Sequence, residues 1–209
     1  MGRLIDSKIW FPSFYKKIFI FAGNFIKQMG KGSLFKELFV NIKTTGAITF
    51  SSRSLVNKML SFADFKEAKI LVELGGGDGS ITRGIVERMD KGAELLVFEI
   101  SRAFCDNLEI EFPQENVKII CDSAEHLDKY LQGRHADLIL SSLPLSLIPK
   151  EARNEIYRKS SQSLHPKGLL IQICYSYLLK FQYAPFFKHI KTTFTLKNFP
   201  PTLIMICRP

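Results

Sequence analysis

Between Lys69 and Gly79 the chain reads Lys-Ile-Leu-Val-Glu-Leu-Gly-Gly-Gly-Asp-Gly, and the helical pattern Ser80-Ile-Thr-Arg-Gly-Ile-Val-Glu-Arg-Met89 follows at once. An apolar run ending in an acid and then in glycines predicts a strand that turns sharply into a helix. Such a unit belongs to an α/β fold and brings backbone N–H groups close to a ligand at the carboxyl edge of a sheet. Spacing narrows the ligand. The dinucleotide pattern G-x-G-x-x-G would place its third glycine at position 80, which is Ser80. The pattern present is E-x-G-x-G-x-G, made by Glu73, Gly75, Gly77 and Gly79. A plain glycine-rich turn of some other α/β protein is the competing explanation.

Three downstream signals favour a binding site. Glu99, followed by Ile100, ends the strand pattern from Glu94 and lies 20 residues after Gly79, where an acid can take both hydroxyls of a ribose. Asp122, followed by Ser123 and Ala124, comes after the run Val117–Cys121. A fourth strand pattern, Ala136 to Ser141, runs into Ser142-Leu-Pro-Leu145. Alone, each acid reads as a solvated strand end or a helix cap; in register behind a glycine loop they mark one site. This arrangement resembles the nucleotide-methionine loop of class I S-adenosylmethionine (SAM) methyltransferases. The resemblance implies that Glu73 faces the methionine end of the cofactor and that Asp122, Ser123 and Ala124 lie beside the adenine amine. It extends the cofactor set to Gly75, Gly77, Asp78, Gly79, Glu99, Ile100, Ser141 and Ser52.

At 209 residues and 46% hydrophobic, the chain can bury one good core and one large domain. Cys105, Cys121, Cys174 and Cys207 show no C-x-x-C spacing and read as small buried hydrophobes of a reduced cytosolic protein. The four histidines are scattered near turns, and no metal is expected. Charge divides the chain in two. Residues 1–60 hold ten Lys/Arg against two Asp/Glu, and residues 61–209 hold 19 against 18. A basic N-terminal arm (1–60) therefore precedes a nearly neutral catalytic domain (61–209), and the arm calls for a polyanionic partner.

Aromatic density bears on which polyanion. Trp10, Phe11, Phe14, Tyr15, Phe19, Phe21 and Phe25 crowd one segment, with Pro12 suited to a first turn and Gly30-Lys-Gly32 to a stop, so a helix is expected over about 12–29. Phe11, Phe14, Ile18, Phe21 and Phe25 fall on one face, opposite Lys16, Lys17, Lys27 and Lys31. A wide apolar arc against lysines is expected of a helix lying in an anionic membrane interface, with Trp10 beside it. The plainer alternative packs this helix on its own domain as a cover for the cofactor. The longest apolar run, Ile18 to Gly23, is far short of the ~20 residues a membrane span needs. Asn24 and the lack of a small-x-small site argue against a signal peptide. A second helix is expected at Arg53–Leu60, capped by Ser51 or Ser52, with its N-terminus approaching the glycine loop.

A narrower resemblance covers about residues 34 to 209. Thr45-Gly-Ala-Ile-Thr-Phe-Ser-Ser-Arg-Ser-Leu55, the loop Glu73–Gly79, Ser142-Leu-Pro-Leu145, Gln172-Ile-Cys-Tyr175 and Asn198-Phe-Pro-Pro201 together resemble the bacterial phospholipid N-methyltransferases. Three departures stand out: Phe50 in place of a common proline, Ser142 in place of the glycine of S-G-L-P-L, and Asp78 where Thr or Ser is frequent. The resemblance implies SAM-dependent methylation of an amine-headed membrane lipid, with S-adenosylhomocysteine as product. The lipid would be phosphatidylethanolamine on its way to phosphatidylcholine, or an ornithine lipid. It also implies a peripheral position on the cytoplasmic face of the cell membrane. A monomer is expected.

Two other functions fit the sequence less well. The rRNA adenine dimethylases share the loop and the basic character, but carry N-L-P-[YF], whose ring stacks on the extruded base. Leu145 offers no such face, and their C-terminal helical RNA-binding domain has no counterpart in a chain whose last strand pattern ends at Cys207-Arg-Pro209. A membrane-bound protein that has lost catalysis fits poorly with intact Glu73, Gly75, Gly77, Gly79 and Glu99.

The fold expected is a Rossmann-like α/β class I methyltransferase domain. Strands near 69–75, 94–100, 117–121, 136–142, 168–174, 191–198 and 202–208 alternate with helices as far as the sixth. Phe199-Pro-Pro201 is too short for a crossover, so the last strand must turn back antiparallel. Tyr175, at the end of the fifth strand, is the candidate to orient the head group. Leu143 and Pro144 form the adjacent wall, and Tyr177 is the alternative. A core tyrosine with a satisfied hydroxyl is the equally simple account of Tyr175.

Overall fold

The computed structural model describes residues 52–145, 147–174, 179–195 and 202–209. The expected arm helix and the Asn198–Pro201 turn lie outside these residues.

Seven strands form one sheet: β1 (Ile70–Leu74), β2 (Glu94–Phe98), β3 (Val117–Ile120), β4 (Ala136–Ser141), β5 (Leu164–Cys174), β6 (His189–Thr195) and β7 (Thr202–Arg208). Their order is β3-β2-β1-β4-β5-β7-β6. The pairs β1–β2, β1–β4, β2–β3 and β4–β5 are parallel, and β7 runs antiparallel to both β5 and β6. This is the expected seven-stranded sheet with a reversed final strand. The helices are α1 (Arg53–Leu60), α2 (Ser80–Val86), α3 (Arg102–Glu111), α4 (Leu127–Leu131), α5 (Lys150–Ser163) and α6 (Leu179–Tyr183).

The central strands are apolar on both faces because both faces are covered. Leu55, Val56, Met59 and Leu60 of α1 join Ile81 and Ile85 of α2 and Leu108 of α3 against Leu71, Leu95, Val97, Leu140 and Ile171. Side chains alternate across a strand, so Phe98 points the other way; it meets Tyr130 of α4 edge-on at 5.5 Å. Ser52 caps α1 by accepting from Leu55 N at 3.2 Å. Gly84 of α2 gives α1 room, since a Cβ there would lie 2.6 Å from Leu60 Cδ1.

Three details depart from expectation. β5 starts at Leu164, which pairs with Ala136; the register then jumps so that Leu169 faces Leu138. The exposed residues His165, Pro166 and Lys167 bulge out between these pairs, as a proline inside a strand requires. β6 starts at His189, earlier than its apolar pattern indicated, because an edge strand needs no buried face to pair. Cys105, Cys174 and Cys207 are buried as expected, but Cys121 is exposed, since it lies one residue beyond β3.

Among the described residues no helix is long and apolar enough to cross a membrane.

Candidate cofactor and acceptor site

Strand order reverses between β1 and β4, which in an open α/β sheet is where the ligand crevice lies, beyond the strand carboxyl ends. The glycine loop forms one wall. Gly75 N and Gly76 N both donate to Phe98 O, at 2.9 and 3.1 Å, and Gly79 N donates to Gly76 O at 3.0 Å. Gly77 N donates to Glu99 Oε2 at 2.9 Å. Gly77 has φ +52°, and a Cβ there would meet nothing within 4 Å, so the chain passes the crevice with bare backbone. Gly76, an unspecified position in the sequence pattern, is the most crowded of the loop glycines: a Cβ there would lie 2.7 Å from both Val97 Cγ1 and Leu108 Cδ1. Asp78 turns back, accepting from Ser80 N (3.1 Å) and Ser80 Oγ (2.8 Å), and thereby shapes the start of α2.

Glu73 is fully buried at the end of β1. Its Oε2 accepts from Thr82 Oγ1 at 2.7 Å, while Oε1 has no partner. Burial pushes its pKa up to about 8; the Thr82 hydrogen bond opposes this, and the negative charges of Glu99 and Asp78 add to it. Among the described residues no cation pairs with it, so this buried carboxyl with one bare oxygen suits a positive charge.

Glu99, also buried, lies just past β2 and accepts from Gly77 N through one oxygen and from Ser101 N through the other, at 2.8 Å. Each oxygen keeps a second lone pair for a ligand hydroxyl. Ile100 beside it is 46% exposed, an apolar platform at the rim.

Asp122 is held by partners that sequence reasoning missed. Its Oδ1 accepts from Ser123 N (2.7 Å) and contacts His126 Nδ1 (2.9 Å), and its Oδ2 accepts from the Tyr130 hydroxyl (2.9 Å). Against the upward push of partial burial, these bonds hold the carboxyl below its ordinary pKa. His126 and Tyr130 follow Asp122 at helical intervals, the only trace of this cluster in the sequence. Ser123 caps the short 3₁₀ turn Ala124–His126 and places the buried Ala124 at its start.

The residues expected on the acceptor side follow β4. Ser141 is buried, and its Oγ accepts weakly from Leu143 N at 3.4 Å. Ser142 ties this wall to the glycine loop: its N donates to Leu74 O (3.0 Å) and its Oγ to Gly75 O (2.9 Å). Leu143 and Pro144 are half-buried. Buried Gln172 of β5 donates to Leu143 O at 3.3 Å and accepts from the Tyr183 hydroxyl at 3.0 Å. Tyr183 in turn packs on Tyr157 with centroids 4.2 Å apart. Arg153 of α5 donates to Leu145 O at 2.9 Å. Nothing in the sequence had singled out Tyr183 or Arg153.

Tyr175 and Tyr177 lie outside the described residues, as do Trp10, Phe11, Phe14, Lys16, Lys17, Ile18, Phe21, Phe25, Lys27 and Lys31. Ser52 is placed as the cap of α1, which packs on α2.

SAM fits these residues: its cationic methionine end suits the bare Glu73 oxygen, its ribose suits Glu99, and a flat base suits the apolar rim at Ile100. The family described as "Methyltransferase domain" matches residues 71–168. The fold is that of the class I SAM-dependent methyltransferases, and the residue types gathered at the glycine loop suit SAM as cofactor. Within that class, the chain is similar to the ornithine lipid N-methyltransferase of Singulisphaera acidiphila. The two are 28% identical over 198 residues, covering 92% of this chain and 96% of that protein. It is also similar to the ribosomal RNA small subunit methyltransferase A of Mycoplasma capricolum, 31% identical over 78 residues, covering 37% of this chain and 28% of that one. Among solved structures, the N-methyltransferase NodS from Bradyrhizobium japonicum in complex with S-adenosyl-L-homocysteine has the same fold. Its TM-score is 0.61 at 10% identity, covering 75% of this chain and 84% of that one.

Proposed function

We propose that this methyltransferase acts on the amine of a membrane-lipid head group, with an ornithine lipid as the first candidate and phosphatidylethanolamine as the second. The observation that carries this is the extent of likeness: it runs through nearly all of both chains for the ornithine lipid enzyme, but through 37% of this chain for the rRNA enzyme. Leu145 in place of a base-stacking ring agrees with it.

SAM supplies an activated methyl group, so the chain's task is to bring a neutral amine into line with it and keep water out. The bond from Ser142 Oγ to Gly75 O fixes the spacing between the cofactor wall and the acceptor wall. Leu143 and Pro144 line the acceptor wall with apolar surface, and a desolvated ammonium gives up its proton more readily. In this proposal Tyr175 orients the head group and offers a ring face to its methylated, cationic products. The basic aromatic arm would hold the enzyme at the anionic cytoplasmic surface where such lipids are found.

The test is transfer of labelled methyl from SAM to total bacterial lipid, to vesicles containing ornithine lipid or phosphatidylethanolamine, and to rRNA. Label in either amine-headed lipid supports the proposal, and the ratio between them ranks the substrates. Label in rRNA alone overturns it.

A further inference from the structure

Arg153 is an arginine without an acid. Its Nη1 donates to Leu145 O at 2.9 Å, while its Nε is buried with no hydrogen-bond partner. Arg83, Arg102, Arg134 and Arg158 each pair with a carboxylate; among the described residues Arg153 has none within ion-pair distance, and unlike the exposed Arg53 and Arg208, which also have none, it keeps a guanidinium nitrogen buried. Of the acids nearest to it on α5, Glu155 is taken by Arg158 and Lys159, and the exposed Glu151 makes no ion pair with it. Further along the chain there is none to offer, since residues 156–209 contain eight Lys/Arg and no Asp or Glu.

A half-buried guanidinium with unmatched donors is costly to keep unless a ligand completes it. Its planar fork of five N–H groups suits a phosphate or a carboxylate. It also stands in a telling place, on the first turns of α5, braced against the last residue of the Ser142–Leu145 loop on the acceptor side of the crevice.

We infer that Arg153 binds the anionic group of a zwitterionic lipid head, a phosphodiester or a carboxylate, and so sets where the head's amine lies. This rests on the lipid function proposed above and adds a requirement to it: the substrate carries a negative charge a few bonds from its amine. Anchoring the anion confines the amine to a short arc in front of the methyl donor. Arg153 is then a specificity-determining residue, selecting zwitterionic heads over plain amines.

The experiment uses the full chain, saturating SAM and neutral carrier vesicles holding one of three acceptors: ornithine lipid, phosphatidylethanolamine, or a long-chain primary amine without an anion. Wild type, Arg153→Gln and Arg153→Lys are compared, with S-adenosylhomocysteine binding as the check on folding. The expected result is a fall in the selectivity for zwitterion over plain amine (ratio of kcat/KM) of about 10–100-fold in Arg153→Gln, the size of a lost charged hydrogen bond. The fall should lie mainly in KM. Arg153→Lys, which keeps the charge but loses the fork, should fall several-fold, and it decides the matter if the Gln variant does not fold. The two zwitterionic arms tell carboxylate from phosphate. A proportional loss on all three acceptors would make Arg153 a brace for Leu145 and overturn the inference, as would an unchanged ratio or a wild type that prefers the plain amine. Transfer by wild type to no lipid at all would overturn the lipid function itself, and this inference with it.

Discussion

Single residues carry the electrostatics of the cofactor side, and Glu73 makes the sharpest prediction. Its folded pKa of about 8 lies above its ordinary 4.5, so the folded state holds a proton that the unfolded state has released between those values. The stability this contributes is complete below pH 4.5 and is lost as pH rises through about 8. Urea unfolding of the ligand-free protein between pH 5 and 9 should show a decline on the order of a few kcal/mol, which Glu73→Gln abolishes. Cofactor binding should run the other way, strengthening as Glu73 ionises, and the Gln variant should bind S-adenosylhomocysteine weakly at every pH. A variant with the wild-type pH slope would exclude Glu73 as its source. Glu99→Ala should weaken cofactor binding by about 2–4 kcal/mol, since it removes charge-assisted bonds to the ligand and also frees Gly77 N and Ser101 N; calorimetry reads this. Spacing behind the glycine loop brought Glu99 forward as a candidate, and the resemblance to SAM methyltransferases supplied the roles expected of Glu73 and Asp122. Thr82, His126 and Tyr130 were invisible because their meaning lies in which way a helix presents them, and that is fixed only once α2 and α4 have packed.

At the scale of elements, the glycine loop is held by its own hydrogen bonds: Gly75, Gly76, Gly77 and Gly79 all donate within the protein. Hydrogen exchange at Gly75 and Gly77 should therefore be slow even without cofactor; rapid exchange there would mean that the ligand shapes the loop. Gly76→Ala should destabilise the fold by about 1–3 kcal/mol, because Val97 is stiff, buried and 2.7 Å from the new methyl. Tyr183→Phe should cost about 1–3 kcal/mol by stranding the buried Gln172 carbonyl, and Tm measurements check both. Strand positions and the antiparallel pairing of β6 with β7 were legible from apolar runs and one short connection. The early start of β5 was not, because Pro166 reads as a strand breaker until the bulge around it is seen. Gly76 went unmarked because a pattern of alternate glycines says nothing about what lies behind the loop.

For the whole molecule, averaging hid the charge distribution. The near-neutral total of residues 61–209 joins a stretch to Glu155 with 18 acids and 11 Lys/Arg to a remainder with eight Lys/Arg and no acid. If the arm docks on lipid as proposed, anionic vesicles should sediment the protein. Replacing Lys16, Lys17, Lys27 and Lys31 with Gln should weaken binding by about 1 kcal/mol per charge. Undiminished binding after removal of residues 1–32 would reassign the arm to packing. The strand order gives the charge split a direction, for β1, β2, β3 and β4 lie in the acidic stretch on one side of the sheet, and β5, β7 and β6 lie wholly in the acid-free part on the other. The domain is therefore an electric dipole lying across its sheet. If the enzyme docks on an anionic surface as proposed, such a dipole would feel a torque within about a Debye length, ~8 Å at physiological salt, that would turn the β6 edge toward the lipid before contact. Ionic strength should accordingly act on the rate of landing more than on the rate of release.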